Sequence, residues 1–310
     1  MNTAGRLSLY GAGLAAAFAV AFAAAGLVAP HEAASQMSQQ EEESMDGHGA
    51  HGSAAQAGGD HDMSAAADAT AGVALAAGGF ALAPISAPAT VGEQGELSFR
   101  ILDGSGAPVT AYAPQHEKDL HLIVVRSDGA QFRHVHPALD AGTGTWSLPW
   151  SWNAAGTYRV FADFAADGSD PVTLARTVDV AGSFEPVVPA TSASTSIAGF
   201  DVSIVGELVP GSASELTLTV RRDGEPVTTL QPYLGAFGHL VALREGDLAY
   251  LHVHPEGAEP SGPTALAGPD VRFAAHVPTA GRYLLYFDFQ VDGAVHTAAF
   301  VLDAKTSHTH

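Results

Sequence analysis

Short runs of alternating apolar and polar residues, separated by Gly, Pro, Asp and Asn, cover the chain from about residue 79 onwards. Alternation with a period of two is typical of β-strands that bury one face. We place the strands of the first such region at about residues 80–86, 96–103, 120–127, 130–136, 145–152, 157–165 and 172–180. Seven short strands in about 100 residues are the pattern of an immunoglobulin-like β-sandwich.

The same pattern occurs a second time, from Gly199 to Leu302. The segment Ala155-Gly-Thr-Tyr158 recurs there as Ala280-Gly-Arg-Tyr283. In each copy this segment opens the sixth strand, and its tyrosine resembles the tyrosine corner of immunoglobulin-like domains. We therefore predict an all-β fold with two tandem immunoglobulin-like β-sandwiches.

The segments outside the two copies differ in composition, and they define the expected domain boundaries. We expect a hydrophobic helix at 1–30, a disordered tether at 31–72, sandwiches at 73–182 and 199–303, a linker at 183–198 and a tail at 304–310. The tether has no aromatic residue and almost no β-branched residue, so it has too little apolar surface to form a core.

The N-terminal apolar run predicts export of the rest of the chain. Residues 7–30 carry no charge, and Arg6 is the only basic residue before them. A run of this length spans a bilayer, whereas a cleaved signal peptide has an apolar core of about 7–15 residues. Pro30 would directly follow a cleavage after Ala29, which disfavours cleavage. We expect an uncleaved membrane anchor and an extracytoplasmic protein; a cleaved signal and a secreted protein are the alternative.

Composition excludes several classes of function. The chain has no cysteine, which rules out disulfides, thiolate zinc sites and a blue-copper centre. Its formal net charge is −20, with only 13 Lys and Arg residues, which argues against nucleic acid as a partner. No nucleophile elbow, phosphate loop or His-Glu-x-x-His helix is present, so we do not expect an enzyme.

The tetrapeptide His-Val-His-Pro occurs once in each copy, and each occurrence follows a further histidine that heads an apolar run. The three histidines are His121, His134 and His136 in the first copy and His239, His252 and His254 in the second. In both copies the first and last of the three are 15 residues apart. Such matched spacing in a duplicated domain indicates a shared geometry.

Turn chemistry predicts that geometry. Asp128-Gly129 is a two-residue hairpin signal, and it places His121 opposite His136 on one face of a hairpin. The Gly246-Asp247 loop predicts the same register in the second copy. Directly opposed Cβ atoms lie ~4.5–5.5 Å apart, within reach of one metal ion. We predict one three-histidine metal site in each copy.

The predicted histidine face is also apolar, so we expect the histidines at the rim of the buried face of each sandwich. It carries Ile123, Val125 and Phe132 in the first copy and Val241, Leu243, Leu248 and Tyr250 in the second. Asp163 and Asp288, on the matching sixth strands, are expected to orient an imidazole or to serve as fourth ligands. The alternative is that the histidines are structural and tie the sandwich edge to these carboxylates.

The tether adds a second set of candidate ligands: His48, His51, His61 and Met63. Every methionine after Met1 lies in this tether. Thioether and imidazole donors on an exported segment suit copper, with methionine favouring Cu(I). An incidental Ala/Gly/His spacer is the alternative.

With the repeat, the two His-Val-His-Pro segments, the Pro232-Tyr-Leu-Gly-Ala-Phe-Gly-His239 segment and this tether, the chain resembles a family of actinobacterial exported proteins connected with copper handling. Each copy is also similar to CopC-like and YtkA-like immunoglobulin-like domains of copper-resistance proteins. These resemblances imply copper, whereas the spacing alone predicts a transition-metal site and does not exclude zinc.

We therefore predict a membrane-anchored copper-binding protein that buffers copper or passes the ion to a membrane copper transporter or a copper enzyme. Its imidazole sites are expected to lose metal as the pH falls through ~6.5. The competing hypothesis is a tandem immunoglobulin-like scaffold with structural histidines, which recognises a surface protein or glycan.

Overall fold

The computed structural model describes residues 72–251 and 253–305. Within these ranges all regular secondary structure is β-strand, and we find no helix there that could span a bilayer. The expected anchor, the tether with its candidate ligands His48, His51, His61 and Met63, and His252 all lie outside the described residues.

The first repeat contains ten strands in two antiparallel sheets. They are β1 (Ala76–Ala77), β2 (Phe80–Leu82), β3 (Gly95–Leu102), β4 (Tyr112–Ala113), β5 (Leu120–Arg126), β6 (Arg133–Val135), β7 (Ala138–Asp140), β8 (Thr145–Trp150), β9 (Gly156–Ala166) and β10 (Val172–Val180). One sheet has the order β1-β2-β3-β8-β7, and the other has the order β10-β9-β5-β6, with β4 paired to β9.

The second repeat has the same order of its main strands. Its strands are β11 (Ser194–Ile197), β12 (Phe200–Val205), β13 (Ser212–Arg222), β14 (Glu225–Pro226), β15 (His239–Arg244), β16 (Tyr250–Leu251), β17 (Val253–Glu256), β18 (Asp270–Val277), β19 (Gly281–Val291) and β20 (Ala294–Ala304). The sheets have the orders β11-β12-β13-β18-β17, with β14 paired to β13, and β16-β15-β19-β20. Both repeats thus have the strand order of an immunoglobulin-like sandwich, which confirms the predicted fold class.

Both predicted tyrosine corners are present. The hydroxyl of Tyr158 donates to the carbonyl oxygen of Ala154 at 2.8 Å, and the hydroxyl of Tyr283 donates to that of Thr279 at 2.7 Å. Each tyrosine therefore fastens the start of its sixth main strand to the loop before it. Strand β11, in contrast, lies within the segment assigned to the linker, and it pairs with β12. The second sandwich thus begins before residue 199.

Each sandwich has its own apolar core between its two sheets. In the first repeat Leu97 of β3 and Trp146 of β8 pack against Leu122 and Val124 of β5. The second core is built in the same way around the Phe287 ring. Inward and outward residues alternate along these strands because successive side chains point to opposite faces.

A third apolar cluster joins the two repeats, and it corrects the prediction for the histidine-bearing face. Ile123 and Val125 of β5 pack with Val241 and Leu243 of β15, not into either sandwich core. Every residue of β5 is buried, because one face of the strand lines the first core and the other contacts the second repeat. The apolar face that carries the histidines is therefore the interface between the sandwiches.

The contacts across this interface are reciprocal. Phe132 stacks on Tyr286 with ring centroids 3.9 Å apart and an interplanar angle of 4°. The equivalent residues of the opposite repeats, Tyr250 and Phe161, form the matching pair at 5.9 Å. Reciprocal pairing of equivalent residues is the mark of a twofold arrangement, here approximate and within one chain.

Candidate metal centre

The predicted hairpin register is present in both repeats. Ile123 pairs with His134 in the first, and Ala242 pairs with Leu251 in the second, as the turn analysis predicts. The first hairpin thereby brings the rings of His121 and His136 together, with centroids 4.9 Å apart. The loops differ from the predicted two-residue turns: Gly129 N–H donates to the carbonyl oxygen of Arg126 in the first hairpin, and Leu248 N–H donates to that of Arg244 in the second.

His121, His134 and His136 converge on one point. Nδ1 of His121 lies 3.0 Å from Nε2 of His134 and 3.2 Å from Nε2 of His136. Tetrahedral ligands ~2.0–2.1 Å from a metal ion are ~3.3 Å from one another, so these separations suit one shared ion. Among the described residues, this is the one group of three or more candidate side chains close enough to hold a metal ion.

Hydrogen bonds on the outer side of two rings fix where their protons lie. Nε2 of His121 is 2.9 Å from the carbonyl oxygen of Gln115, which can only accept, so this nitrogen carries the proton. Nδ1 of His134 likewise donates to a carboxylate oxygen of Asp288 at 2.8 Å. In their neutral forms, both rings therefore direct lone pairs at each other. Two lone pairs 3.0 Å apart repel, and a proton or a metal cation between them removes the repulsion.

Burial keeps two of these imidazoles in the neutral form that binds metals. His121 is only 1% exposed. Burial, aided by the neighbouring histidines, lowers the pKa of His121 to about 4 and that of His136 to about 3. Protons therefore compete for these nitrogens at a lower pH than the ~6.5 expected for ordinary histidines.

Asp288 reaches the centre from the other repeat. The residue is 2% exposed, and its two oxygens accept from Nδ1 of His134 and from the hydroxyl of Thr297 at 2.5 Å. Asp288 lies opposite His239 on the neighbouring strand, yet the imidazole that it orients belongs to the first repeat.

Asp163 occupies the equivalent position in the first repeat. It lies opposite His121 and accepts a hydrogen bond from Thr173 at 2.8 Å. Burial raises the pKa of its carboxyl group. Among the described residues no histidine donates to Asp163, so the expected orienting role is seen for Asp288 and not for Asp163.

The predicted second cluster is not assembled within the described part of the chain. His254 lies on β17, which pairs with β18 in the other sheet, and its side chain is exposed. Strand β16 ends at Leu251 and Val253 pairs with Ala275 of β18, so His254 does not lie opposite His239. His239 instead stacks on His121, with centroids 5.6 Å apart and an interplanar angle of 2°. The equivalent first histidines of the two repeats thus meet at the interface.

His116 is a member of the cluster that the comparison of repeats missed. Its ring centroid lies 6.1 Å from that of His121 and 5.7 Å from that of His239. It has no counterpart in the second repeat, so matching of repeats gave it no weight. Its position five residues before His121, on the short connection into β5, was the available signal.

These features define a class: a tandem β-sandwich protein with a histidine cluster where its two repeats meet. A family model described as "Domain of unknown function (DUF8832)" matches residues 79–182 and again residues 195–306. The two matches together span more than half of the chain, and the chain belongs to this family.

Other comparisons give only remote similarity. No curated protein matches the chain. A DUF4426 family protein from Pseudomonas aeruginosa is 9% identical, with a TM-score of 0.27 over 38% of this chain and 100% of that one. The BSP domain of a biofilm associated protein is 14% identical, with a TM-score of 0.21 over 74% of this chain and 30% of that one. A conserved domain protein from Bacillus anthracis is 8% identical, with a TM-score of 0.25 over 74% of this chain and 89% of that one.

Proposed function

We propose that this protein is an exported, membrane-anchored copper-binding protein that buffers copper or passes it to a membrane copper transporter or a copper enzyme. His121, His134 and His136 are the ligands of its folded part. The apolar run at 7–30 supports the anchor, and the histidines and Met63 of the tether support a capture role for that segment. The three-nitrogen donor set also accepts zinc, so copper rests on the tether and on the family resemblance.

The observation that carries the proposal is the opposition of two lone pairs, at Nδ1 of His121 and Nε2 of His134, 3.0 Å apart. Gln115 and Asp288 hold the protons on the outer nitrogens, so the inner nitrogens present electron pairs to whatever lies between them. A metal cation between these nitrogens removes the repulsion between their lone pairs, and Nε2 of His136, 3.2 Å from Nδ1 of His121, supplies a third donor.

The three ligands also suit exchange of the ion. Three protein nitrogens leave one position of a tetrahedral site for water or for a donor from another molecule. A buffering or delivery protein requires such a position, because the ion has to leave for the next ligand set. Asp288 and Gln115 act on the ion through the rings that they orient, as outer partners of metal-bound histidines do.

The proposal is tested by titrating the full chain with Cu(II) and measuring stoichiometry and affinity by calorimetry. Separate His121→Ala, His134→Ala and His136→Ala variants are expected to lose one binding event that the wild type shows. His276→Ala is the matched control, because His276 is an exposed histidine of β18 outside the cluster. Tether histidines contribute equally to the wild type and to all four variants. Unchanged stoichiometry and affinity in the three cluster variants would overturn the proposal.

The competing function, a tandem immunoglobulin-like interaction scaffold, has one observation in its favour. The hydrogen-bonded pair of His134 and Asp288 is buried and joins the two repeats, as a structural device would. Under this alternative a chelator leaves the melting temperature unchanged. Under the copper proposal, added Cu(II) raises the melting temperature through mass action, and the chelator reverses the increase.

A further inference from the structure

A second pair of histidines lies beside the three proposed ligands. The ring centroids of His116 and His239 are 5.7 Å apart, at an interplanar angle of 70°. Two imidazoles that bind one metal ion at ~2.0 Å place their centroids about 4.5–6.4 Å apart for ligand angles between 90° and 180°. The pair therefore has the spacing of two ligands of one ion.

The nitrogens of this pair are available, whereas those of the adjacent ring are not. His121 uses both nitrogens, one on Gln115 and the other towards its two partners in the cluster. Among the described residues, no hydrogen bond is made by either ring nitrogen of His239. Burial, followed by the neighbouring histidines, lowers its pKa well below the usual value, which keeps the ring neutral.

A strained turn presents His116. Gln115 and Lys118 pair across a two-residue turn, with backbone hydrogen bonds of 2.7 and 3.0 Å between them. The central residues His116 and Glu117 have φ angles of 46° and 67°. Turns with two positive φ angles are normally made by Gly, Asn or Asp, so a histidine here is held against its backbone preference. The same turn supplies the carbonyl oxygen that orients His121.

His116 lines a cavity whose charged side chains are mainly acidic. The cavity has a volume of 460 Å³, and His116 is the member of the histidine cluster that lines it. Three carboxylates, Glu256, Glu259 and Asp270, line it as well, together with the single cation Arg272. An excess of negative charge around an opening raises the local concentration of cations.

We propose that His116 and His239 form an outer binding position for a transition-metal ion, which the ion occupies between the cavity and the three inner histidines. The inference rests on the proposed function of the inner site and adds its entrance. Water completes the coordination of the outer ion, since only two protein nitrogens are offered. His239 lies against His121, so the two positions are adjacent and the ion moves from the exposed histidine to the buried ones.

The experiment uses the full chain in which His48, His51 and His61 are replaced by Ala, loaded with increasing Cu(II) and studied by electron paramagnetic resonance. Two adjacent Cu(II) ions give a spin-coupled signal, whereas isolated ions do not. We expect one isolated ion first and a coupled pair at higher loading. His116→Asn and His239→Ala are expected to abolish coupling while the first ion remains, because asparagine accepts positive φ but replaces the imidazole. His276→Ala is expected to change nothing.

The outcomes separate the two proposals. If a single ion binds and no coupled pair appears, or if the pair persists in both His116→Asn and His239→Ala, the outer position is wrong and the inner site stands. If His134→Ala leaves the first ion in place, the inner site is wrong and the outer position falls with it. Circular dichroism of His116→Asn checks that the fold is retained.

Discussion

Asp288 of the second repeat accepts a hydrogen bond of 2.8 Å from Nδ1 of His134 of the first repeat, and both side chains are buried. One repeat thus sets the proton position of a proposed ligand that belongs to the other. Metal affinity and the packing of the two sandwiches are consequently linked through a single pair of atoms.

Replacing Asp288 by Asn is expected to lower both the metal affinity and the free energy of unfolding. The amide keeps one acceptor but brings an NH2 group towards His134 or the hydroxyl of Thr297, both of which already donate to this side chain. A buried group left without its partner costs about 1–3 kcal/mol of unfolding free energy. Loss of an outer partner typically lowers metal affinity about 10–100-fold.

Urea denaturation and Cu(II) calorimetry measure the two effects of Asp288→Asn. Asp179→Asn is the matched control, because the Asp179 carboxylate bonds Thr157 at an exposed position of β10. Wild-type stability together with wild-type affinity in Asp288→Asn would contradict the link between repeats and site.

The metal-free protein is expected to lose stability as the pH falls from ~6.5 to ~4, the interval between the ordinary histidine pKa and that of the folded His121. In this interval the unfolded chain binds protons that the folded cluster excludes, so protonation favours unfolding. One pKa unit corresponds to ~1.4 kcal/mol, and His121 alone contributes on the order of 2–3 kcal/mol.

Urea midpoints between pH 8 and pH 4.5 check this dependence. The carboxylates of Asp128 and Asp247 have lowered pKa values, mainly through their arginine partners, and their stabilisation is lost only at still lower pH. A His121→Gln, His136→Gln double variant is expected to flatten the slope. An equally steep slope in that variant would show that other groups cause it.

Relief of the strained turn is expected to stabilise the protein. Glu117 is exposed and has a φ of 67°, a conformation that costs a non-glycine residue about 1–3 kcal/mol. Glu117→Gly is therefore expected to increase the free energy of unfolding by about 1 kcal/mol, after the extra entropy of glycine in the unfolded chain is offset. Glu117→Ala removes the same carboxylate without relieving the strain, and an equal gain there would refute the backbone explanation.

Removal of an aromatic contact between the repeats is expected to lower the free energy of unfolding more than truncation of an exposed side chain does. Phe132 stacks on Tyr286 at 3.9 Å, so Phe132→Ala opens a space in the interface. We expect a loss of about 2–4 kcal/mol by urea denaturation, slightly less than for a fully buried phenylalanine. Val188→Ala, at a residue 84% exposed, should stay within about 0.5 kcal/mol of wild type. Similar losses of unfolding free energy in both variants would mean that this interface contributes little to stability.

Much of the architecture was predictable because its causes are local. Alternation with a period of two defines the strands, and the pairing predicted for the first hairpin is the one that the structure shows at Ile123 and His134. The tyrosine corner at Tyr158 could be predicted because it needs only a tyrosine and a carbonyl four residues away. Nothing distant in the chain has to be known for any of these features.

The predictions that the structure corrects share one cause, because each depends on contact between residues distant in the chain. The strand β5 is apolar on both faces, and alternation alone does not say which face lines a sandwich core and which meets a second sandwich. The place of His254 in the other sheet is decided by the pairing of β17 with β18.

The fold class, the duplication and the three-histidine hairpin of the first repeat thus follow from local sequence, since strand preferences and alternation act over a few residues. Three contacts depend instead on how the two repeats pack: His121 stacks on His239, His116 lies beside both, and Asp288 accepts a hydrogen bond from His134 of the other repeat. These contacts exist because two apolar sheet faces bury each other, and burial depends on the partner surface and not on the order of residues within one strand.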